Sequence, residues 1–249
     1  MNSIYKNLLL WCDDKISFLK RHNIKFQSGV AIIPPECIYT DIPRMVSTYQ
    51  YRSDIPADLK AKSLLTYFTP DSGLWNRLFK IEDEIPTLLE YGGIAGFDLS
   101  PSLGMLRPRQ KFSITINSVF NCYCALHGVK ILPNARLGDM STMSMSASIP
   151  DGVNFISSRL GCKRNGFKAF GRYQVKLLLQ QIRPRILFIY GRVSLDEACD
   201  PINRYGIDIV CYPDRRSRVR NNAEIYAIVK RSHNKIVKIP FGEYLQGVQ

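Results

Sequence analysis

Apolar residues recur at three- and four-residue spacings through 3–21, where Ile4, Leu8, Trp11, Cys12, Ile16 and Leu19 share one face. That period predicts an amphipathic helix. Gly29-Val30-Ala31-Ile32-Ile33 reads as a short strand stopped by Pro34-Pro35. The stretch from Cys37 to Pro56 is rich in turn formers and is expected to be a loop or arm. A rhythm then sets in. Ser63 to Phe68 is a predicted strand, followed by a helix over Leu74 to Tyr91 with a break near Pro86. Ile94 to Phe97 is the next strand, followed by a helix over about Arg109 to Leu126 that Gly128 ends. Val129 to Pro133 is a strand, and a Met- and Ser-rich link, Asp139 to Ser148, leads to a strand at Val153 to Ser157. A helix over Phe167 to Ile182 precedes a strand at Arg185 to Tyr190, and a helix capped by Ser194 precedes a strand at Ile207 to Cys211. Two β-rich runs around Ser232-His233-Asn234 suggest a hairpin.

Strands alternating with helices through short loops predict right-handed βαβ units and a parallel sheet. The expected fold is therefore α/β, with a mostly parallel sheet of about six to seven strands, TIM-barrel-like or open. The expected organisation is an N-terminal helix and arm over 1–56, an α/β core over 57–213, and a basic C-terminal extension over 214–249.

Composition narrows the classes of function. No apolar run approaches the roughly 20 residues needed to span a bilayer. Asp13 and Asp14 follow the first apolar stretch and no small-residue cleavage site is present, a poor match to a signal peptide. The seven cysteines are scattered and form no CxxC, the pattern of reduced thiols in a cytoplasmic protein. Cys124 and His127, three apart on a helix, offer only two metal ligands, and the simpler reading is a core Cys near a helix C-terminus. There is no GxxxxGK[ST] loop, and no GxGxxG follows a strand. His22, His127 and His233 lie on unrelated elements, so nothing points to a Ser-His-Asp or Cys-His device.

In parallel α/β folds ligands bind at the C-terminal ends of the strands. The residues expected there are Asp71, Asp98, Asn134, Arg136, Ser158, Arg159, Tyr190, Arg192, Tyr212 and Asp214. Carboxylates and guanidiniums facing one cavity could hold a phosphate, or a cation with a phosphate. Asp98 directly follows an apolar strand and is the leading candidate for a general base or cation ligand, the alternative being a turn cap. Asp71 and Asp214 would complete a catalytic trio for metal-dependent phosphodiester hydrolysis, with a divalent cation such as Mg or Mn as cofactor. No motif names a reaction.

Charge is concentrated late in the chain. From Arg159 to Gln249 there are 18 Lys+Arg against 7 Asp+Glu, whereas residues 1–158 carry 16 against 14. Such asymmetry draws anionic partners, and nucleic acid heads the list. Arg215, Arg216, Arg218 and Arg220 form the densest cluster, and Lys163 and Arg164 lie at a predicted helix N-terminus, where backbone N–H groups also favour anions. With Arg136, Arg159 and Arg192 at the strand ends, these are the candidate phosphate contacts. Three readings follow: a nucleic-acid binder with phosphodiester chemistry at the strand ends, an enzyme acting on a phosphorylated or nucleotide ligand, and a non-enzymatic binder of an acidic host protein.

Gly96-Phe97-Asp98-Leu99-Ser100, Gly128-Val129-Lys130-Ile131-Leu132-Pro133-Asn134 and Pro184-Arg185-Ile186-Leu187-Phe188-Ile189-Tyr190-Gly191 together resemble a phage and bacterial family catalogued as domain of unknown function 4417. The likeness runs from about Ile42 to Gly191. Cys122-Tyr123-Cys124-Ala125 and Arg136 stand where the family usually has an aromatic-rich stretch and a Trp. The resemblance implies a phage or mobile-element origin and marks Asp98 as a family feature; it implies no activity.

Overall fold

The computed structural model describes residues 3–102, 104–134, 136–157, 176–191, 202, 204–216, 226–231 and 235–240. Helix α1 (Ser3–Arg21) forms where the sequence period places it, with Leu8, Trp11, Cys12 and Leu19 turned into the core. Lys20 and Arg21 in its last turn complement the negative end of the helix dipole. Strands β1 (Phe26–Gln27) and β2 (Val30–Ala31) make a short antiparallel hairpin. The expected strand at Val30–Ile33 thus belongs to this hairpin and not to the parallel system.

That system begins with β3 (Met45–Thr48), inside the stretch expected to be loop. It pairs in parallel with β4 (Ser63–Thr66), β4 with β5 (Gly93–Ala95), and β5 with β6 (Ile131–Leu132). Between β4 and β5 lie α2 (Trp75–Phe79) and α3 (Ile81–Leu88). The helix break falls at Lys80, while Pro86 is accommodated inside α3. Helix α4 (Arg107–Leu126) crosses from β5 to β6 and is buried all round from Ile116 to Ala125, as befits a central helix. The Met- and Ser-rich link is a 3₁₀ helix, Met140–Ser148, capped by the Asp139 carboxylate accepting from Ser141 N.

A second sheet holds β7 (Phe155–Ser157), β8 (Ile186–Tyr190) and β9 (Asp208–Tyr212) in parallel. It continues antiparallel into β10 (Tyr226–Arg231) and β11 (Lys235–Pro240), the expected hairpin. The parallel strands therefore fall into hydrogen-bonded groups of four and three, not one sheet of six to seven. Among the described residues a parallel bridge between Asn134 and Ile156 joins the two groups, with Ile156 N donating to Pro133 O at 2.8 Å.

The side chains sort cleanly by face. Val46, Leu64, Ala95, Leu132, Ile156, Phe188 and Val210, one from each parallel strand, belong to a single apolar cluster with Tyr190 and Tyr212. Their strand neighbours Leu65, Ile94 and Ile131 pack instead with α1 and α4 residues. Phe155, Leu187 and Ile209 pack with the helical segment 176–182. Strands buried on both faces explain why they read as continuous apolar runs. Tyr212 Oη, at the end of β9, donates to Pro43 O ahead of β3 at 2.8 Å and so ties the last parallel strand back to the first. No helix among the described residues is long and apolar enough to cross a membrane.

Candidate functional site at the strand ends

Past Ala95 the chain leaves β5 as Gly96-Phe97-Asp98-Leu99. A side chain at Gly96 would lie 2.7 Å from Asn121 Nδ2 and 3.1 Å from Asn134 N, so only glycine lets α4 and the β6 end close on this segment. Asn117 and Asn121, one turn apart on α4, then grip the backbone on either side of Asp98. Phe97 N donates to Asn121 Oδ1 at 2.8 Å, Leu99 N to Asn117 Oδ1 at 2.9 Å, and Asn117 Nδ2 donates to Leu99 O at 3.0 Å. Asparagine is a poor residue inside a helix. Here it satisfies three buried backbone groups that no strand neighbour reaches.

Between these clamps the Asp98 carboxylate is buried, only 3 % exposed. Asn134 Nδ2 donates to its Oδ1 at 2.7 Å. Arg136 Nε lies 3.2 Å from the same oxygen, an ion pair without the alignment of a hydrogen bond. Arg136 Nη2 donates to Ser100 Oγ at 2.9 Å, and Ser100 N lies 3.2 and 3.3 Å from the two oxygens of Asp71. Burial pushes the Asp98 carboxyl up to about 6, against the opposing pull of Arg136 and Asn134, and the Asp71 charge pushes it the same way as burial. Asp71 is itself raised by burial, which outweighs the Ser100 bonds and the Arg136 charge. The loop carrying Arg136 is held from behind by buried Gln110, whose Nε2 donates to Met105 O and to Asp139 Oδ2 and whose Oε1 accepts from Asp139 N. A cleft of about 20 Å³, room for about one water, opens beside Asn117, Asn121, Asn134 and Arg136.

Chemically this is a protonatable carboxyl beside a half-buried guanidinium. Asp98 can hold or release a proton near neutral pH, and Arg136 can turn from it to an incoming oxyanion. For a cation, Asp71 and Asp98 offer two carboxylates. No group of three His, Cys, Asp or Glu side chains placed to share one occurs among the described residues.

Four of the residues expected at the strand ends, Asp71, Asp98, Asn134 and Arg136, are thus brought together. Asp214 is half-buried after β9 and engaged in interactions of its own; it is not among the charges that act on Asp98. Arg215 is exposed but anchored: Nε donates to Asp54 Oδ2 at 3.0 Å and the guanidinium lies 4.0 Å from the Tyr51 ring centre. Arg216 is exposed. Arg159, Lys163, Arg164, Arg192, Arg218 and Arg220 lie outside the described residues. Cys124 is fully buried, as a core residue would be, and half-buried His127 pairs through Nδ1 with Tyr123 O. Sequence reasoning missed Ser100, Gln110, Asn117 and Asn121. The detectable signal was two asparagines four apart in the mostly apolar second half of α4.

A family model described as Domain of unknown function (DUF4417) matches residues 27–205. Among curated proteins and among solved structures, none matches.

Proposed function

The chain belongs to the DUF4417 family, and from its charge and its strand-end site we propose that it binds nucleic acid. In this reading its cationic last third draws the polyanion in, and a phosphodiester settles at the ends of the parallel strands. The observation that carries the reading is the Asp98–Arg136 pair. A guanidinium held at a strand end by a buried carboxyl needs only a small turn to meet a phosphate, and Asp98 is left poised to take or give the proton of a phosphodiester reaction. The +11 balance of residues 159–249 supplies the long-range attraction.

We further read the two parallel groups as one barrel-like enclosure. Support comes from the cluster fed by all seven parallel strands, the Asn134–Ile156 bridge, and the Tyr212–Pro43 bond across the remaining gap. The strand ends then form one mouth, with Asp98 and Arg136 on one side and Arg215 on the other. The setting we propose is phage or mobile-element biology in the host cytoplasm. A cation shared by Asp71 and Asp98 would be an addition to this scheme, since the scheme itself uses Asp98 as an acid–base group.

Titration of the full chain with a labelled oligonucleotide across 50–300 mM salt tests the reading. Log affinity should fall linearly with log salt, and replacing Arg215, Arg216, Arg218 and Arg220 together by Ala should flatten that slope. Salt-independent binding, or capture of an acidic protein with no affinity for nucleic acid, would overturn it. The burial of Asp98 favours a second reading, a small phosphorylated ligand. Retention of such a ligand by the four-arginine variant and its loss with Asp98→Ala would select that reading.

A further inference from the structure

Among the described residues, two hydroxyls at the same mouth have no partner. Thr48 ends β3 and Thr66 ends β4, and the two stand directly opposite each other in the parallel register. They are 6 % and 0 % exposed, and among the described residues neither Oγ1 has a hydrogen-bond partner. Each lies two residues beyond an inward-facing apolar side chain, Val46 and Leu64 respectively, so both hydroxyls face the enclosed side. Valine has the same shape and suits a strand as well. Keeping a hydroxyl buried and unpaired is unfavourable, and keeping two in register beyond Val46 and Leu64 calls for a partner that the described residues do not supply.

The surroundings indicate the partner's chemistry. Phe68 packs against the same enclosed cluster two residues beyond Thr66, and its ring lies 5.7 Å from that of Tyr190 at the end of β8. The 3₁₀ turn Tyr49–Asp54, which starts directly after Thr48, carries Tyr51 and Asp54, and these hold Arg215, itself within electrostatic reach of Tyr190. Hydroxyl donors, two aromatic rings and a guanidinium are together the complement of a nucleotide: oxygens for the hydroxyls and the arginine, a flat base for the rings.

We infer that Thr48 and Thr66, with Phe68, Tyr190 and Arg215, form a subsite for a single nucleotide unit bearing a phosphate, entered when the Phe68 and Tyr190 rings part. The inference rests on the nucleic-acid reading and specifies where one unit of the strand is held.

The test pairs binding with stability in the full chain. Thr48→Val, Thr66→Val and the double variant are titrated calorimetrically with adenosine 5′-monophosphate, inorganic phosphate and adenosine, and each is unfolded in urea. The expected result is that the double variant unfolds at the same or higher urea concentration than the wild type and binds the nucleotide at least tenfold more weakly. Phosphate and adenosine should each bind the wild type more weakly than the nucleotide does. Unchanged nucleotide affinity with a lower unfolding midpoint would overturn the inference and assign the hydroxyls to internal water. Phosphate binding as tightly as the nucleotide would overturn the choice of ligand. Salt-dependent oligonucleotide binding with no mononucleotide binding would sink this subsite alone, whereas loss of both would sink the broader reading with it.

Discussion

Asp98→Asn should make this protein more stable at neutral pH, and the gain should vanish in acid. The ordinary carboxyl value of 3.8 is raised to about 6 in the fold, chiefly by burial. At about 1.4 kcal/mol per tenfold, a displacement of about two powers of ten costs about 3 kcal/mol whenever the group is ionised in the folded chain. The sign follows from proton counts. Between about pH 4 and 6 the folded chain keeps a proton at Asp98 that the unfolded chain has released, so stability falls as pH rises through that window. Below it the carboxyl is protonated in both states and contributes no difference; above it the full penalty applies. Asparagine keeps the shape and one acceptor for Asn134 and carries no charge to bury. Urea unfolding of both proteins from pH 4 to pH 8, followed by circular dichroism, gives the stability difference directly. Asp71 and Glu84, also raised by burial, are present in both proteins and largely cancel in it. The variant should gain about 2 kcal/mol relative to the wild type between pH 4 and 7, since part of the penalty is already present at pH 4. A difference flat with pH, or a variant that loses ground as pH rises, would refute the claim that Asp98 is a buried, proton-holding acid.

Other substitutions probe the scaffold that holds the site. Asn117→Ala leaves Leu99 N and O unpaired in the interior, and at roughly 1–3 kcal/mol for each buried group it should lower the urea midpoint more than Asn121→Ala, which frees only Phe97 N. Gly93→Ala would place a methyl 2.4 Å from Lys130 O, in the segment just ahead of β6. The backbone there cannot yield cheaply, and a loss of roughly 1–3 kcal/mol is expected in the same assay. Tyr212→Phe removes the bond to Pro43 O that ties β9 to the start of β3; it should cost about 1 kcal/mol and speed amide exchange in Met45–Thr48.

The strands packed on both faces were legible because apolar residues run through them unbroken, as in Ile186–Tyr190 and Ile131–Leu132. Strand β3 was not, because Met45-Val46-Ser47-Thr48 ends in two hydroxyl residues between a proline-bearing loop and a tyrosine-rich turn. Its pairing with β4, and not its own composition, makes it a strand. Val30–Ala31 erred the other way: an apolar run was taken up by a local hairpin with Phe26–Gln27. At the site, the position of Asp98 after an apolar strand located the carboxylate, and strand-end geometry brought in Asn134 and Arg136. The clamps Asn117 and Asn121, and the orphan hydroxyls Thr48 and Thr66, depend on which helix and strand faces meet. One-dimensional periodicity does not specify that. The arginine cluster showed a net charge but not its pairing: the Arg215–Asp54 contact joins residues 161 positions apart.

Amide hydrogen exchange of the full chain, with and without a short single-stranded oligonucleotide at low salt, would locate the ligand most directly. Protection gathered on Thr66–Asp71, Asp98–Ser100, Asn134–Arg136 and the residues around Arg215 is the predicted outcome. Tight binding with protection confined to α1, or to any surface away from the strand ends, would contradict it.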